Sequence, residues 1–335
     1  MKKALIISVS GIGNTILQGP FIRSVLEDGR FEVDCLFGNQ GMAQVFKGYP
    51  AMNKAFVLPG SFSNSIYLIA ILRKRRYDIS LSCFPSNRPQ FHLLPFLIRA
   101  KKRLIHDYGK FNAAFSFLSN EKIKAQRGIH DVEQNLRLLV PLEIKRGGGV
   151  QKRLYFAISD QDEYKAENLL KKWGMKRDIL GIHAGSGPLQ GKKWPLERFG
   201  QVARALIDKG YLQHVLVFGG PEEAAEKKRL QEMIKAGKAG RTNHGIARAV
   251  NASLGVTAAV IKRTSFFLSN DSGLMHVAAA VGTQVLGIFG PTDWHRTAPW
   301  GNGTTFVRLE LIFYTLYAES KVEKWKYKFQ KSCKK

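Results

Sequence analysis

Three short stretches of the chain combine residue types that can hold an anion or manage a proton. The densest is Phe266-Phe267-Leu268-Ser269-Asn270-Asp271-Ser272-Gly273-Leu274-Met275-His276. An apolar run turns here into Asn-Asp-Ser-Gly and then into a helical pattern. Hydrogen-bonding side chains and a helix N-terminus therefore meet at the carboxyl end of a strand, where open α/β sheets bind ligands. Ser272 and His276 stand four apart, a spacing that lets both face one cleft from a helix. Asp271 alone reads as a helix cap and Ser272-Gly273 as a turn; together with His276 they read as an anion site one helical turn from an imidazole.

The second stretch is Ile182-His183-Ala184-Gly185-Ser186-Gly187, followed by Gly191-Lys192-Lys193-Trp194-Pro195. A strand ends in small residues, and Pro195 suits the first turn of the next helix. Backbone N–H groups at that helix start, with Ser186 and a lysine close by, make a phosphate cradle. The third stretch, Ser10-Gly11-Ile12-Gly13-Asn14-Thr15-Ile16, follows the first apolar run. Glycine there lets the backbone bend tightly or approach a ligand. It is an incomplete dinucleotide fingerprint, because Ile16 fills the third glycine position and Asp34 is followed by Leu36-Phe37 instead of ending its strand. No grouping of residues suggests a required metal.

The elements that must position these residues alternate. Apolar runs at 4–9, 32–37, 54–58, 78–83 and 103–106 are separated by helical patterns near 15–27, 40–47, 62–75 and 89–98. Runs at 179–183, 214–218, 265–269 and 284–289 alternate with helical patterns near 195–208, 222–236, 251–262 and 272–281. This predicts an α/β protein with parallel sheets covered on both faces. The pattern restarts after Lys145-Arg146-Gly147-Gly148-Gly149, so two Rossmann-like domains, 1–150 and 151–335, are expected with a cleft between them.

Two domains fit comfortably in 335 residues. The charge is unusual: 52 Lys and Arg against 26 Asp and Glu give +26. A basic surface attracts polyanions, whether nucleic acid, anionic headgroups or phosphorylated glycans. Cys35, Cys83 and Cys333 are too few and scattered for a disulfide framework. The apolar stretch after Met1-Lys2-Lys3 reads as a buried strand, and Ser65 to Leu72 stops at Arg73-Lys74-Arg75-Arg76, too short to span a bilayer. Residues 319–335, with seven lysines and Trp325, Tyr327 and Phe329, read either as a membrane- or glycan-contacting segment or as a solvated terminus.

Asp271-Ser272-Gly273-x-x-His276-x-Ala278-Ala279, with Gly282 and Phe289-Gly290-Pro291-Thr292, resembles the C-terminal signature of family 9 glycosyltransferases, the heptosyltransferase-like group. Lys192-Lys193-Trp194-Pro195 resembles that family's Lys/Arg-x-Trp-Pro element, and Phe218-Gly219-Gly220-Pro221-Glu222 its next strand-to-helix turn. Gly11-Ile12-Gly13-Asn14 and Pro20 also fit, so the resemblance covers about residues 3–300 and is weakest between 40 and 130. It implies a GT-B architecture, with an acceptor-binding first domain and a donor-binding second domain. The implied reaction is inverting, metal-independent sugar transfer from a nucleotide-diphosphate sugar, ADP-heptose favoured, with no cofactor.

By the same resemblance Lys192 binds donor phosphate, and Glu222 or its neighbour Glu223 holds ribose. Asp271, Ser272, Gly273 and His276 surround the diphosphate and sugar, while Gly11 and Gly13 form a loop on the acceptor side. The family carries an Asp as general base where this chain has Asn14. An amide cannot accept a proton at neutral pH, which leaves His183, Asp271 or an acceptor phosphate as candidates. Residues 309–335 also depart from the family, whose members continue through a cysteine-containing segment into a closing helix.

The expected acceptor is an anionic lipopolysaccharide core or related glycan. The expected setting is a cytoplasmic monomer at the inner face of the membrane. One rival reading is an impaired homologue that binds nucleotide sugar or glycan, motivated by Asn14. Another is a nucleic-acid-binding protein, which rests on charge without any helix-turn-helix, RNA-recognition or zinc motif. A third is an NAD-dependent oxidoreductase.

Overall fold

The computed structural model describes residues 1–144, 152–186, 193–236, 246–301 and 303–308. Strands β1 (Lys2–Ser8), β2 (Phe31–Phe37), β3 (Lys54–Val57), β4 (Ile79–Ser82), β5 (Lys102–Asp107) and β6 (Glu121–Lys124) form a parallel sheet in the order β3-β2-β1-β4-β5-β6. Strands β7 (Ile179–His183), β8 (His214–Val217), β9 (Ile246–Ala249), β10 (Phe266–Asn270), β11 (Val285–Phe289) and β12 (Thr304–Arg308) form a second, in the order β12-β11-β10-β7-β8-β9. Each order reverses once, between β1 and β4 and between β7 and β10. Such a reversal opens a crevice at the strands' carboxyl ends. Ala4–Ser8 of β1 and all of β4, β7 and β11 are buried, as strands covered on both faces must be.

The helices around the first sheet are α1 (Ile12–Leu17), α2 (Gly19–Glu27), α3 (Gln40–Gln44), α4 (Phe62–Lys74), α5 (Gln90–Leu97) and α6 (Asp131–Leu136). Those of the second half are α7 (Asp160–Lys172), α8 (Leu196–Asp208), α9 (Ala224–Lys235), α10 (Leu254–Ile261), α11 (Gly273–Ala280) and α12 (Trp294–Thr297). The helix expected over 15–27 is two helices. Pro20 has no N–H to give to Ile16, so the ladder breaks, and the chain resumes with Ile22 N–H donating to the Gln18 carbonyl at 3.0 Å.

Several elements carry no apolar run that would announce them. Strand β6 is Glu-Lys-Ile-Lys at a sheet edge, β9 has four residues, and α7 buries only Ala166 and Leu170. Helix α7 starts instead on a Ser159–Asp162 capping box, so the Asp160-x-Asp162 pair serves a helix start. The expected domain boundary falls in residues 145–151, outside the described chain, as does the lysine-rich tail. Beyond that boundary the chain still lies on the first half. Ala157 N–H donates to the Val45 carbonyl at 2.9 Å, and Tyr155 packs on Phe46 and Tyr49.

The halves share a core. Ile16, Leu17 and Phe21 belong to the same buried cluster as Ala258, Met275 and Val277, whereas Leu68, Leu72 and Phe91 form a separate one on the far face of the first sheet. Full burial of such side chains contributes about 1.5–3 kcal/mol each. A polar latch crosses the seam beside this core. Asp131, 1% exposed at the start of α6, accepts two hydrogen bonds from Arg296 of α12 at 3.0 and 3.2 Å. The same guanidinium lies 5.0 Å from the centre of the Phe84 ring. His130 Nε2 meets the Ala298 carbonyl at 2.9 Å and its ring packs 4.6 Å from that of Trp300, which donates to the Lys152 carbonyl. Burial pushes the Asp131 carboxyl above the usual Asp range against the pull of Arg296.

Removing one partner should expose that cost. Arg296→Ala is expected to destabilise the chain by about 2 kcal/mol in denaturant unfolding, the low end for a buried charge left unpaired because Arg296 is itself partly exposed. Adding Asp131→Asn should recover part of the loss; a double variant no more stable than Arg296→Ala would show that the charge is not what costs.

Candidate functional site

The carboxyl ends of β8, β7 and β10 lie side by side, and a hydrogen-bonded chain runs across them. His183, the last residue of β7 and 6% exposed, meets Ser272 Oγ through Nδ1 at 2.8 Å and Glu223 Oε2 through Nε2 at 3.0 Å. An ionised carboxylate only accepts, so Nε2 donates to Glu223, and in the neutral imidazole Nδ1 is then left as an acceptor facing the Ser272 hydroxyl. Glu223 Oε2 also accepts from the Gly220 amide at 2.9 Å. Burial alone would push the Glu223 carboxyl up, but the bonds from His183 and Gly220 hold it below the ordinary Glu value. Gly185 leaves the space that this carboxylate fills.

Ser272 is the N-cap of α11. Its backbone is extended, and its side chain accepts from the Met275 amide at 3.4 Å. Ser269 Oγ lies 3.0 Å from Ser272 Oγ. Asn270 ties the neighbouring loop down: its amide donates to the Ala184 carbonyl at 2.5 Å, and its carbonyl accepts from Trp194 N–H at 3.1 Å. Asp271 is buried and accepts from Thr292 Oγ1 at 2.8 Å, while its own N–H donates to the Ile288 carbonyl. The site thus presents the positive end of a helix with a carboxylate at its mouth.

The loop after β1 closes the site from the other domain. Gly11 has φ +116°, which a residue with a side chain adopts only under strain. Asn14 donates from Nδ2 to the Ser10 carbonyl at 2.7 Å, and Ser10 Oγ donates to the Pro85 carbonyl at 2.9 Å. Beneath them Ser8, Thr15 and Gln18 are joined to one another, and Gln18 and Asn135 donate to the Phe84 carbonyl. Gly13 makes the junction: a Cβ there would lie 2.8 Å from His276 Cδ2 and 3.5 Å from Gly273 Cα. The first βα turn packs on the start of α11 because Gly13 has no side chain to meet the His276 ring; at Gly273 a Cβ would make only ordinary contacts.

The structure therefore brings Gly11, Gly13, Asn14, Asp271, Ser272, Gly273 and His276 around one seam, and Ser186 lies half-buried at the end of the loop after β7. Lys192 lies outside the described residues, whereas Lys193 is exposed and paired with Glu226 at 2.9 Å. Of the two acidic neighbours Glu222 is exposed, and Glu223 reaches His183. Asn270 was not singled out beforehand, although its place in Asn-Asp-Ser-Gly was a signal. Asp34 is buried under Arg75, Tyr77 and Asn53 and so cannot read a ribose. Among the described residues no cluster of three His, Cys, Asp or Glu could hold a metal, and no helix is long and apolar enough to cross a membrane.

Two Rossmann-like sheets with their reversal points facing across a seam make this a GT-B fold. The chain belongs to glycosyltransferase family 9 (heptosyltransferase), whose model matches residues 68–326. It is 25% identical over 254 residues to lipopolysaccharide heptosyltransferase 3 of Escherichia coli, covering 76% of this chain and 71% of that one. It is 23% identical over 302 residues to lipooligosaccharide heptosyltransferase 2 of Campylobacter jejuni, covering 90% and 85%. A family 9 glycosyl transferase from Veillonella parvula superposes with a TM-score of 0.77 at 20% identity, covering 97% of this chain and 89% of the other. E. coli ADP-heptose lps heptosyltransferase II does so with a TM-score of 0.70 at 20% identity, covering 93% and 91%. An E. coli heptosyltransferase solved with ADP gives 0.69 at 18%, covering 97% and 98%. These findings do not favour the oxidoreductase reading.

Two outcomes follow from the geometry. Gly13→Ala should force the loop and α11 apart, costing about 1–3 kcal/mol of stability, while Gly29→Ala, where a Cβ meets nothing, should show no such steric cost; its φ of +76° makes backbone strain its only penalty. Glu223 contributes stability above the unfolded-state Glu pKa that is lost as pH falls through its lower native value. In Glu223→Gln that acid-side step should shrink; an unchanged profile of unfolding free energy against pH would contradict the assigned hydrogen bonds.

Proposed function

We propose that this glycosyltransferase moves heptose from ADP-heptose to a lipopolysaccharide core or related anionic cell-surface glycan, with inversion at the anomeric carbon and without a metal. The observation that carries the reading is the Glu223–His183–Ser272 chain fixing the start of α11 against the Gly13 loop. The donor's diphosphate lies on the α11 amides, as anions do at helix N-termini. Ser272, the N-cap held between His183 and Ser269, organises that helix start. Lys192 supplies a charge to the phosphates, and Glu223 or Glu222 meets the ribose. Relatives solved with ADP or named for ADP-heptose support the choice of nucleotide.

In the reaction an acceptor hydroxyl oxygen forms a bond to the anomeric carbon as the bond from that carbon to the diphosphate breaks. Negative charge grows on the departing ADP, where fixed N–H donors and a lysine stabilise the transition state more than the ground state. The hydroxyl proton cannot go to Asn14, whose amide donates to Ser10. Both nitrogens of His183 are engaged. Asp271 and an acceptor phosphate remain as acceptors for it. The enzyme works as a monomer at the inner face of the membrane, and its charge of +26 suits a phosphorylated acceptor on an anionic surface.

Calorimetry against ADP, GDP, UDP, CDP and NAD in the presence of a chelator tests the donor assignment. ADP should bind, Lys192→Ala should weaken it by about tenfold or more, and Lys193→Ala should change it by no more than about threefold. Equal affinity in wild type and Lys192→Ala, or binding of NAD alone, would overturn the reading. Asn14→Asp should lower stability by about 1–2 kcal/mol, because a carboxylate replaces the donor facing Ser10, and should not speed transfer. A rise of about 10²-fold or more would show that residue 14 is an emptied base position.

A further inference from the structure

The face of the first sheet turned away from the second domain carries an exposed apolar surface that the transfer site does not use. Among the described residues, eight of the twelve large hydrophobic side chains left exposed fall between Phe62 and Phe117. Helix α4 accounts for three. It buries Leu68 and Leu72 against the sheet and leaves Phe62 82%, Ile66 55% and Tyr67 70% exposed on its opposite side. At helical spacing Arg73 and Lys74 continue that outer side. Arg75 turns inward to Glu32 and Asp34, while Arg76 is exposed.

The surface continues over α5 and the turn after β5. Helices α4 and α5 together wall an apolar cavity of about 130 Å³, lined among others by Leu58, Leu68, Ile69, Phe91 and Leu94. Phe96 and Leu97 are exposed at the end of α5. Arg103 lies over the Phe96 ring and donates to the Leu118 carbonyl, and His92 of α5 meets Ser119 at 2.8 Å. That joins α5 to the segment exposing Phe111, Phe115 and Phe117, with Lys110 over the Phe111 ring. Residues 54–120 hold 11 Lys and Arg and two Asp, and those two are tied up, Asp78 by Lys101 and Asp107 by Asn112.

We infer that this surface, formed by the outer side of α4, the end of α5 and residues 109–119, docks the enzyme on a bilayer rich in anionic phospholipid. Exposed rings and aliphatic chains enter the acyl boundary, and the basic residues meet the headgroups. A second copy fits poorly, since two such faces would bring like charge together. An acidic soluble partner would satisfy the charge but not eight apolar side chains. The parallel sheet sets the orientation. Phe62 follows the carboxyl end of β3 and the Gly11 loop that of β1, so a membrane under α4 lies beside the mouth of the seam. The purpose of docking rests on the membrane-glycan acceptor proposed above; the surface itself does not.

Sedimentation of the full chain with phosphatidylcholine vesicles, with and without phosphatidylglycerol, tests this. Binding should require phosphatidylglycerol and weaken with salt. Arg73→Gln/Lys74→Gln should weaken it by about 30-fold, and Phe62→Ser/Ile66→Ser/Tyr67→Ser by about tenfold or more. Thermal stability and ADP affinity should be unchanged. Equal vesicle binding by wild type and both variants would overturn the inference. So would concentration-dependent dimerisation lost in the apolar variant, which would assign the surface to a second copy. A fall in melting temperature without loss of vesicle binding would assign it to residues 309–335 of the same chain. Failure of the wild type to bind ADP while it still binds these vesicles would count against the transferase reading and leave the surface standing.

Discussion

The site depends on a place where one backbone turn comes closer to the opposite helix than a side chain would allow. Gly13, in the turn after β1, lies where a methyl group would overlap the His276 ring, and Gly273 faces it at the start of α11. Parallel strands force both turns to the carboxyl edge of their sheets, and each lies beside the reversal in strand order. The crevice of one domain is therefore capped by the crevice of the other. Core packing then follows, with Ile16 and Leu17 behind one turn and Met275 and Val277 behind the other in one buried cluster.

Around that junction the polar groups are arranged for rigidity. Asn270 spends both ends of its amide on backbone groups of the loop after β7. Asn14 ties down Ser10 in the loop after β1, and Ser10, Gln18 and Asn135 bind that loop and its neighbours to the Phe84 and Pro85 carbonyls after β4. Groups already oriented need not reorganise when charge develops on a leaving phosphate, and this is where electrostatic catalysis gains most. The Glu223–His183–Ser272 chain extends this arrangement from β8 to the helix start, so a residue two strand positions away helps to fix the N-terminus of α11.

The elements that build the crevices were legible because burial on both faces leaves continuous apolar runs, as in Ala4-Leu5-Ile6-Ile7 and Phe266-Phe267-Leu268. Edge strand β6, with its alternating Glu-Lys-Ile-Lys, and the mostly solvated α7 have no such run. Asn-Asp-Ser-Gly and its histidine were visible as a motif, but the bond from His183 to Ser272 needs β7 and β10 to be neighbours, which is a property of topology. The choice between Glu222 and Glu223 turns on a single 3₁₀ turn at Pro221–Glu223, where a shift of one residue changes the face presented. Asn14 could be read as a missing carboxylate, yet its role as donor to Ser10 appears only in three dimensions. Arg296 and Asp131 are 165 residues apart and carry no local sign of each other.

The Asp131–Arg296 pair has a kinematic consequence. Together with the Gly13–His276 contact, the His130–Ala298 bond and the shared core, it ties the two halves at several places along the seam. Each added tie removes a freedom of relative motion, so any opening of the seam has to break one of them. Parting Arg296 from Asp131 is the costly break, because it leaves a buried carboxylate without its partner. The seam is in this sense a welded joint rather than a hinge.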